Sequence, residues 1–201
     1  MLRAMYDPAA NHNLNRVYLE EPMEMSADPL AVRTDAVLHG ERILSAIKAA
    51  RVEYVLSVPD IVTSRGLLFP IAKDPAFKLI RVCKEDECIG IAAGLSYGNK
   101  RAITLIQLTG MLYAMNAIRG VAVELAQPIC MMIGLLGREP ERPPRQSRSY
   151  GVRIVEPVLD AMGIEHHLIE SDADVAKIAP AIEKCYEKSV PVALLIGRSP
   201  S

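Results

Sequence analysis

Ala102-Ile103-Thr104-Leu105-Ile106-Gln107-Leu108 is an almost unbroken apolar run. Thr109-Gly110 follows it, a helical segment spans Leu112 to Leu125, and a second apolar run covers Ile129 to Leu135. Both runs lack the in-out alternation of a sheet with one wet face. A strand, a helix and a strand of this kind indicate parallel strands covered on both sides.

The same alternation extends outward from this unit. Toward the N-terminus, Ala36 to Ala50 carries Val37, Ile43, Leu44 and Ile47 at helical spacing, and the short apolar run Tyr54 to Val58 is closed by Pro59-Asp60. A helix over about 61–73 leads to a strand from Phe77 to Val82, and a further helix starts within Lys84 to Glu87 and stops at Gly98-Asn99. Toward the C-terminus come an Arg- and Pro-rich loop (137–150), a helix ending at Met162, a strand His167 to Glu170, a helix Ala173 to Glu187 and a strand Val192 to Gly197. The expectation is an α/β domain: a doubly wound, mostly parallel six-stranded sheet with helices on both faces. Residues 1–34 are polar and aperiodic and read as an arm or tail, which puts the domain at 35–201.

Composition narrows the function classes. Half of the 201 residues are hydrophobic and 23% are charged, the profile of a soluble globular chain. With no Trp, two Phe and nine Met, the core must be built from aliphatic side chains and Met. A net charge of −1 provides no field for nucleic acid or an anionic membrane, so neither is an expected partner. The apolar runs are too short to span a bilayer, and the acidic N-terminus does not read as a signal peptide. None of the four cysteines forms a C-x-x-C pair, so buried free thiols in a reducing cytoplasm are expected rather than a metal site.

Open parallel sheets bind ligands beyond the carboxyl ends of their strands, so the chemistry is sought there. Pro59-Asp60 follows the first strand, where it is either a pocket wall or an ordinary turn. Glu85-Asp86-Glu87 follows the second; acids at a helix start are favoured by the helix dipole whatever the function. Gln107, Thr109 and Gly110 follow the third, with Asn116 farther along the next helix. There is no G-x-G-x-x-G, P-loop, H-E-x-x-H or G-x-S-x-G, which leaves dinucleotide, nucleotide, zinc-protease and serine-hydrolase readings unsupported. Periodicity and spacing give an acidic, amide-lined cleft and no reaction.

The stretch Glu85-Asp86-Glu87-Cys88-Ile89-Gly90-Ile91-Ala92-Ala93-Gly94 resembles the pyrimidine-domain helix of thiamine-diphosphate enzymes, in which a Glu precedes a Gly by nine positions. Val58-Pro59-Asp60 resembles a V-P-D/C segment of one branch, the sulfopyruvate decarboxylase alpha subunits and phosphonopyruvate decarboxylases. Gln107, Gly110 and Asn116 resemble its Q-x-S-G-x-G-N-x-x-N segment. Gly151 to Ile154 and Leu159 to Ile164 resemble the segment that follows. The resemblance runs in order over about residues 36–198.

It implies a thiamine-diphosphate cofactor whose aminopyrimidine N1′ is hydrogen-bonded by Glu85, with the carboxyl kept protonated by a largely dry pocket. Gly90, Ala92, Ala93 and Gly94 would let that helix pack closely on neighbouring backbone. By the same resemblance, Pro59, Asp60, Gln107 and Gly110 would meet the cofactor, and Thr109, Leu112, Tyr113, Asn116 and Arg145 a small 2-oxo-acid substrate. Leu112-Tyr113 stand where the family has Gly-Asn, and Thr109 replaces a Ser, which departs from the family's substrate wall. The G-D-G motif that holds Mg²⁺ and diphosphate is absent. The implied metal and diphosphate site therefore belongs to a beta subunit, and the chain would act only in a hetero-oligomer, with self-association expected as well. The Arg-rich loop reads either as a solvated loop or as a lid over an anion. A non-catalytic scaffold that kept the fold is the alternative.

Overall fold

The computed structural model describes residues 36–201; the expected arm over 1–34 lies outside them. Helix α1 (Gly40–Ala49) leads to β1 (Tyr54–Ser57), a wide helical turn (Ser64–Leu68) running into α2 (Phe69–Ile71), and β2 (Lys78–Arg81). Next come α3 (Glu85–Tyr97), β3 (Ala102–Gln107), α4 (Leu108–Tyr113), α5 (Met115–Ala117) with its wider extension Ile118–Glu124, and β4 (Cys130–Gly134). The chain finishes with α6 (Tyr150–Ala161), β5 (Glu165–Ile169), α7 (Ile178–Lys188) and β6 (Val192–Ile196).

The six strands are ordered β2-β1-β3-β4-β6-β5, and every pairing is parallel. Strand side chains alternate between two cores. Val55, Ile103, Leu105, Met132 and Leu194 face α1, α2 and α7, whereas Leu56, Ile106, Met131, Ile133 and Leu195 face α3, α4 and α6. This alternation explains the continuous apolar runs: both residue sets are buried, each under its own layer of helices. No helix among the described residues is long and apolar enough to cross a membrane.

Three local expectations are corrected. The helix after β3 starts at Leu108, four residues earlier than its apolar spacing suggested, because Thr109-Gly110 form its first turn and not a loop. The helix expected from about 61 starts at Ser64, since Asp60 holds residues 62 and 63 in a turn: its Oδ1 accepts from Val62 N at 2.6 Å and Thr63 N at 2.9 Å. Gly90 and Gly94 do not pack on backbone; a β-carbon on either would meet nothing within 4 Å among the described residues.

The layering fixes where a ligand fits. The chain leaves β1 toward the α1/α2/α7 face and leaves β3 toward the opposite face. Neighbouring strands whose connections part in this way open a crevice at their carboxyl ends. Pro59-Asp60 and Gln107-Gly110 flank it.

Candidate functional site

Three acids open α3, and their geometry separates them. Glu87 folds back to cap the helix, its carboxylate accepting Cys83 N at 3.0 Å and Lys84 N at 3.2 Å. Asp86 accepts Glu87 N at 3.0 Å. Both serve the backbone donors that a helix start leaves orphaned. Glu85 does neither. It is half-buried, and its carboxyl has no hydrogen-bond or ion-pair partner among the described residues.

The Glu85 carboxyl lies instead on Gly110, at the end of a different strand. A β-carbon on Gly110 would sit 2.5 Å from Glu85 Oε1 and 2.6 Å from its Cδ. The edge strand β2 thus delivers its acid across to the start of α4, beside the crevice. One turn along α3, the buried Cys88 thiol is pushed up to about 12 by desolvation first and then by the charges of Glu85 and Glu87. That excludes Cys88 as a nucleophile near neutral pH.

The other expected residues fall into two groups. Gln107 ends β3 beside the crevice, half-buried, with its carboxamide unpaired among the described residues. Thr109 is exposed, Leu112 packs partly against the core, and Tyr113 is exposed beside them. Asp60, by contrast, is buried, and its carboxylate is spent on Val62 and on the backbone and hydroxyl of Thr63. Pro59 is exposed beside it. Asn116 sits on the surface, where its Oδ1 accepts from Arg119 at 3.0 Å.

Arg145 is also occupied. Its Nε meets Glu156 at 2.9 Å and its Nη2 meets Asp160 at 2.5 Å, both carboxylates lying on α6. Asp160 is held below the usual carboxylate range by His166 and then by this guanidinium. The loop as a whole is laced down: Glu139 accepts from Ser147 Oγ at 2.8 Å and Arg148 N at 2.7 Å, and Arg153 donates to Ser147 O at 2.9 Å. Arg138, Arg145 and Arg148 of this loop each meet a carboxylate of the same chain.

One buried ion pair joins an arginine of the Arg-rich loop to a carboxylate that the sequence did not single out. Arg138, its side chain only 3% exposed, pairs with Glu170 at the end of β5. The only available signal was an acid closing an apolar strand, which is common at strand ends. A cleft of about 560 Å³ lies at the amino ends of the strands, remote from Glu85, and includes Arg51, Lys100 and Arg101. Lys100 pairs with Glu53 and Arg101 with Glu183, and Arg51 approaches Glu183. These cations lie where helices end and answer the helix dipoles there.

The chain is similar in sequence to two sulfopyruvate decarboxylase alpha subunits. That of Methanocaldococcus jannaschii is 29% identical over 154 residues, spanning 76% of this chain and 89% of the relative. That of Methanothermobacter thermautotrophicus is 30% identical over 101 residues, 50% of this chain and 61% of the relative. No family model matches the chain.

Proposed function

We propose that this chain is the pyrimidine-binding alpha subunit of a two-subunit, thiamine-diphosphate-dependent decarboxylase acting on a small 2-oxo acid of the sulfopyruvate or phosphonopyruvate type. The observation that carries the proposal is the unspent Glu85 carboxyl, set beside the crevice against Gly110 while its two neighbouring acids serve as caps. The similarity to named decarboxylase alpha subunits supports it.

In this reading Glu85 holds a proton against N1′ of the aminopyrimidine, and Gln107 offers its carboxamide beside it. When bound, the cofactor supplies a nucleophilic carbon and the electron sink that decarboxylation needs. Glu85 is half-exposed in this chain alone, so a partner surface must complete its enclosure. Thr109, Leu112 and Tyr113 line the approach along α4 and would set how bulky a 2-oxo acid is accepted. Diphosphate and Mg²⁺ would be held by a beta subunit that carries the G-D-G motif missing here. The assembled enzyme would work in the cytoplasm.

The test is reconstitution with a beta subunit that carries the G-D-G motif, followed by CO₂ release from sulfopyruvate, phosphonopyruvate and pyruvate. Glu85→Gln should lower turnover by roughly 10²-fold or more while the complex still forms. Turnover at the unmutated rate by Glu85→Gln would sink the reading. Absence of turnover with every acid, in a complex that assembles, would favour the scaffold alternative.

A further inference from the structure

Glycine at position 110 is not demanded by the fold. Its backbone is not among the positive-φ glycines, which are Gly137 and Gly163, and it sits inside α4, where glycine is one of the poorest helix formers. Alanine would suit that backbone better. The nearest atoms a β-carbon would meet are Cγ, Cδ and Oε1 of Glu85, all from one flexible side chain. Gly66 is the opposite case, since a β-carbon there runs into the backbone of Pro200 and no side-chain rotation relieves it.

We propose that Gly110 is a positioning residue: it leaves out a side chain so that the Glu85 carboxyl can rest on the α4 backbone beside the crevice. A helix-destabilising residue is kept in a buried helix for the sake of an acid 25 positions earlier in the chain. The inference rests on the reading of Glu85 as the cofactor-activating acid. It adds that the acid's place is fixed by a vacancy and not by a hydrogen bond. An acid held by shape alone can still rotate its carboxyl to present either oxygen to a ligand, which a capped acid such as Glu87 cannot.

Gly110→Ala in the isolated chain should melt at or above the unmutated temperature, because it improves the helix and displaces only a side chain. Gly66→Ala serves as the contrast and should melt lower. The ¹³C resonance of the Glu85 carboxyl should shift in Gly110→Ala. In the complex with beta subunit, C2-proton exchange of thiamine diphosphate should slow by roughly 10- to 100-fold, the usual consequence of misplacing a reacting group by about 1 Å. Glu85→Asp shortens the acid by one methylene. Combined with Gly110→Ala it should lose less than the product of the two single losses.

An unchanged Glu85 resonance together with unmutated exchange would overturn the proposal. So would a lower melting temperature for Gly110→Ala, because the glycine would then serve the fold. If Glu85→Gln itself exchanges normally, the reading of Glu85 fails instead, and the carboxyl resonance still decides whether Gly110 positions it.

Discussion

Arg138 Nε lies 2.8 Å from Glu170 Oε1, and the arginine side chain is almost wholly buried where β4 and β5 end. Despite this short contact, the Glu170 carboxyl is raised above its ordinary 4.5, because burial outweighs the attraction of Arg138 and Arg198. The two observations agree once desolvation is counted: removing both charges from water costs more than their attraction returns. A raised carboxyl contributes stability below its unfolded pKa and loses it as pH rises through the folded value. Burial, and not the contact with Arg138, thus sets the direction in which the Glu170 carboxyl shifts.

Glu170→Gln should accordingly be well tolerated, within about 1 kcal/mol of the unmutated chain near pH 7, since the amide keeps the shape and an acceptor for Arg138. Glu170→Ala should cost about 3–5 kcal/mol, because it leaves the buried guanidinium without an acceptor. Urea unfolding of the two variants distinguishes these outcomes. Equal losses would mean that the charge itself is needed.

Acid sensitivity should arise elsewhere, at carboxylates held low. Asp172 is lowered by the backbone N–H of His39 at 2.8 Å, then by the His39 ring at 2.7 Å, and Arg42 is adjacent at 3.2 Å. A lowered carboxylate contributes stability above its unfolded value of 3.8 and loses it as pH falls through the folded value. Asp172→Asn should therefore flatten the fall in stability below about pH 4 and change its slope little above about pH 5. Urea midpoints measured across that range check the slope, and an unaltered acid limb would count against the assignment.

Thiol labelling provides a check on burial. Of the four cysteines, Cys83 is exposed, while Cys88, Cys130 and Cys185 are buried. Burial pushes Cys185 up to about 12, as it does Cys88. A maleimide at pH 7 should modify one thiol per folded chain, assigned to Cys83 by peptide mapping, and all four in denaturant. Fast modification of a second cysteine would show that one of the two cores opens.

How far the sequence could be read follows from the range of each signal. The strands were legible because burial on two faces writes itself into contiguous residues such as Cys130–Gly134. The start of α4 was misplaced because Thr and Gly are turn formers, and only the folded chain shows Gly110 inside a helical turn, against the Glu85 side chain. Composition could not say which of Glu85, Asp86 and Glu87 was free, since all three suit a helix start. That depends on which carboxylate turns back to the Cys83 and Lys84 amides. The pairing of Arg138 with Glu170 joins residues 32 apart and left no local mark, and arginines destined for neighbouring carboxylates look the same in sequence as arginines awaiting a ligand.

Arg145 brings that ambiguity to a decision. Its guanidinium bridges Glu156 and Asp160, and its own pKa is raised by those partners, Asp160 first. About half of its side chain is solvent-exposed, so the bridge holds the loop modestly, on the order of 0–1 kcal/mol. To read a sulfonate or phosphonate, Arg145 would have to leave two carboxylates for one anion, an exchange with little net gain. Arg145→Ala should therefore keep kcat/KM for doubly anionic 2-oxo acids within about threefold of the unmutated complex, and its effect should not depend on the second anion. Steady-state kinetics with sulfopyruvate and pyruvate, run side by side, decides it. A KM that rises more than about tenfold for sulfopyruvate and stays unchanged for pyruvate would show that the loop swings, trading Glu156 and Asp160 for substrate.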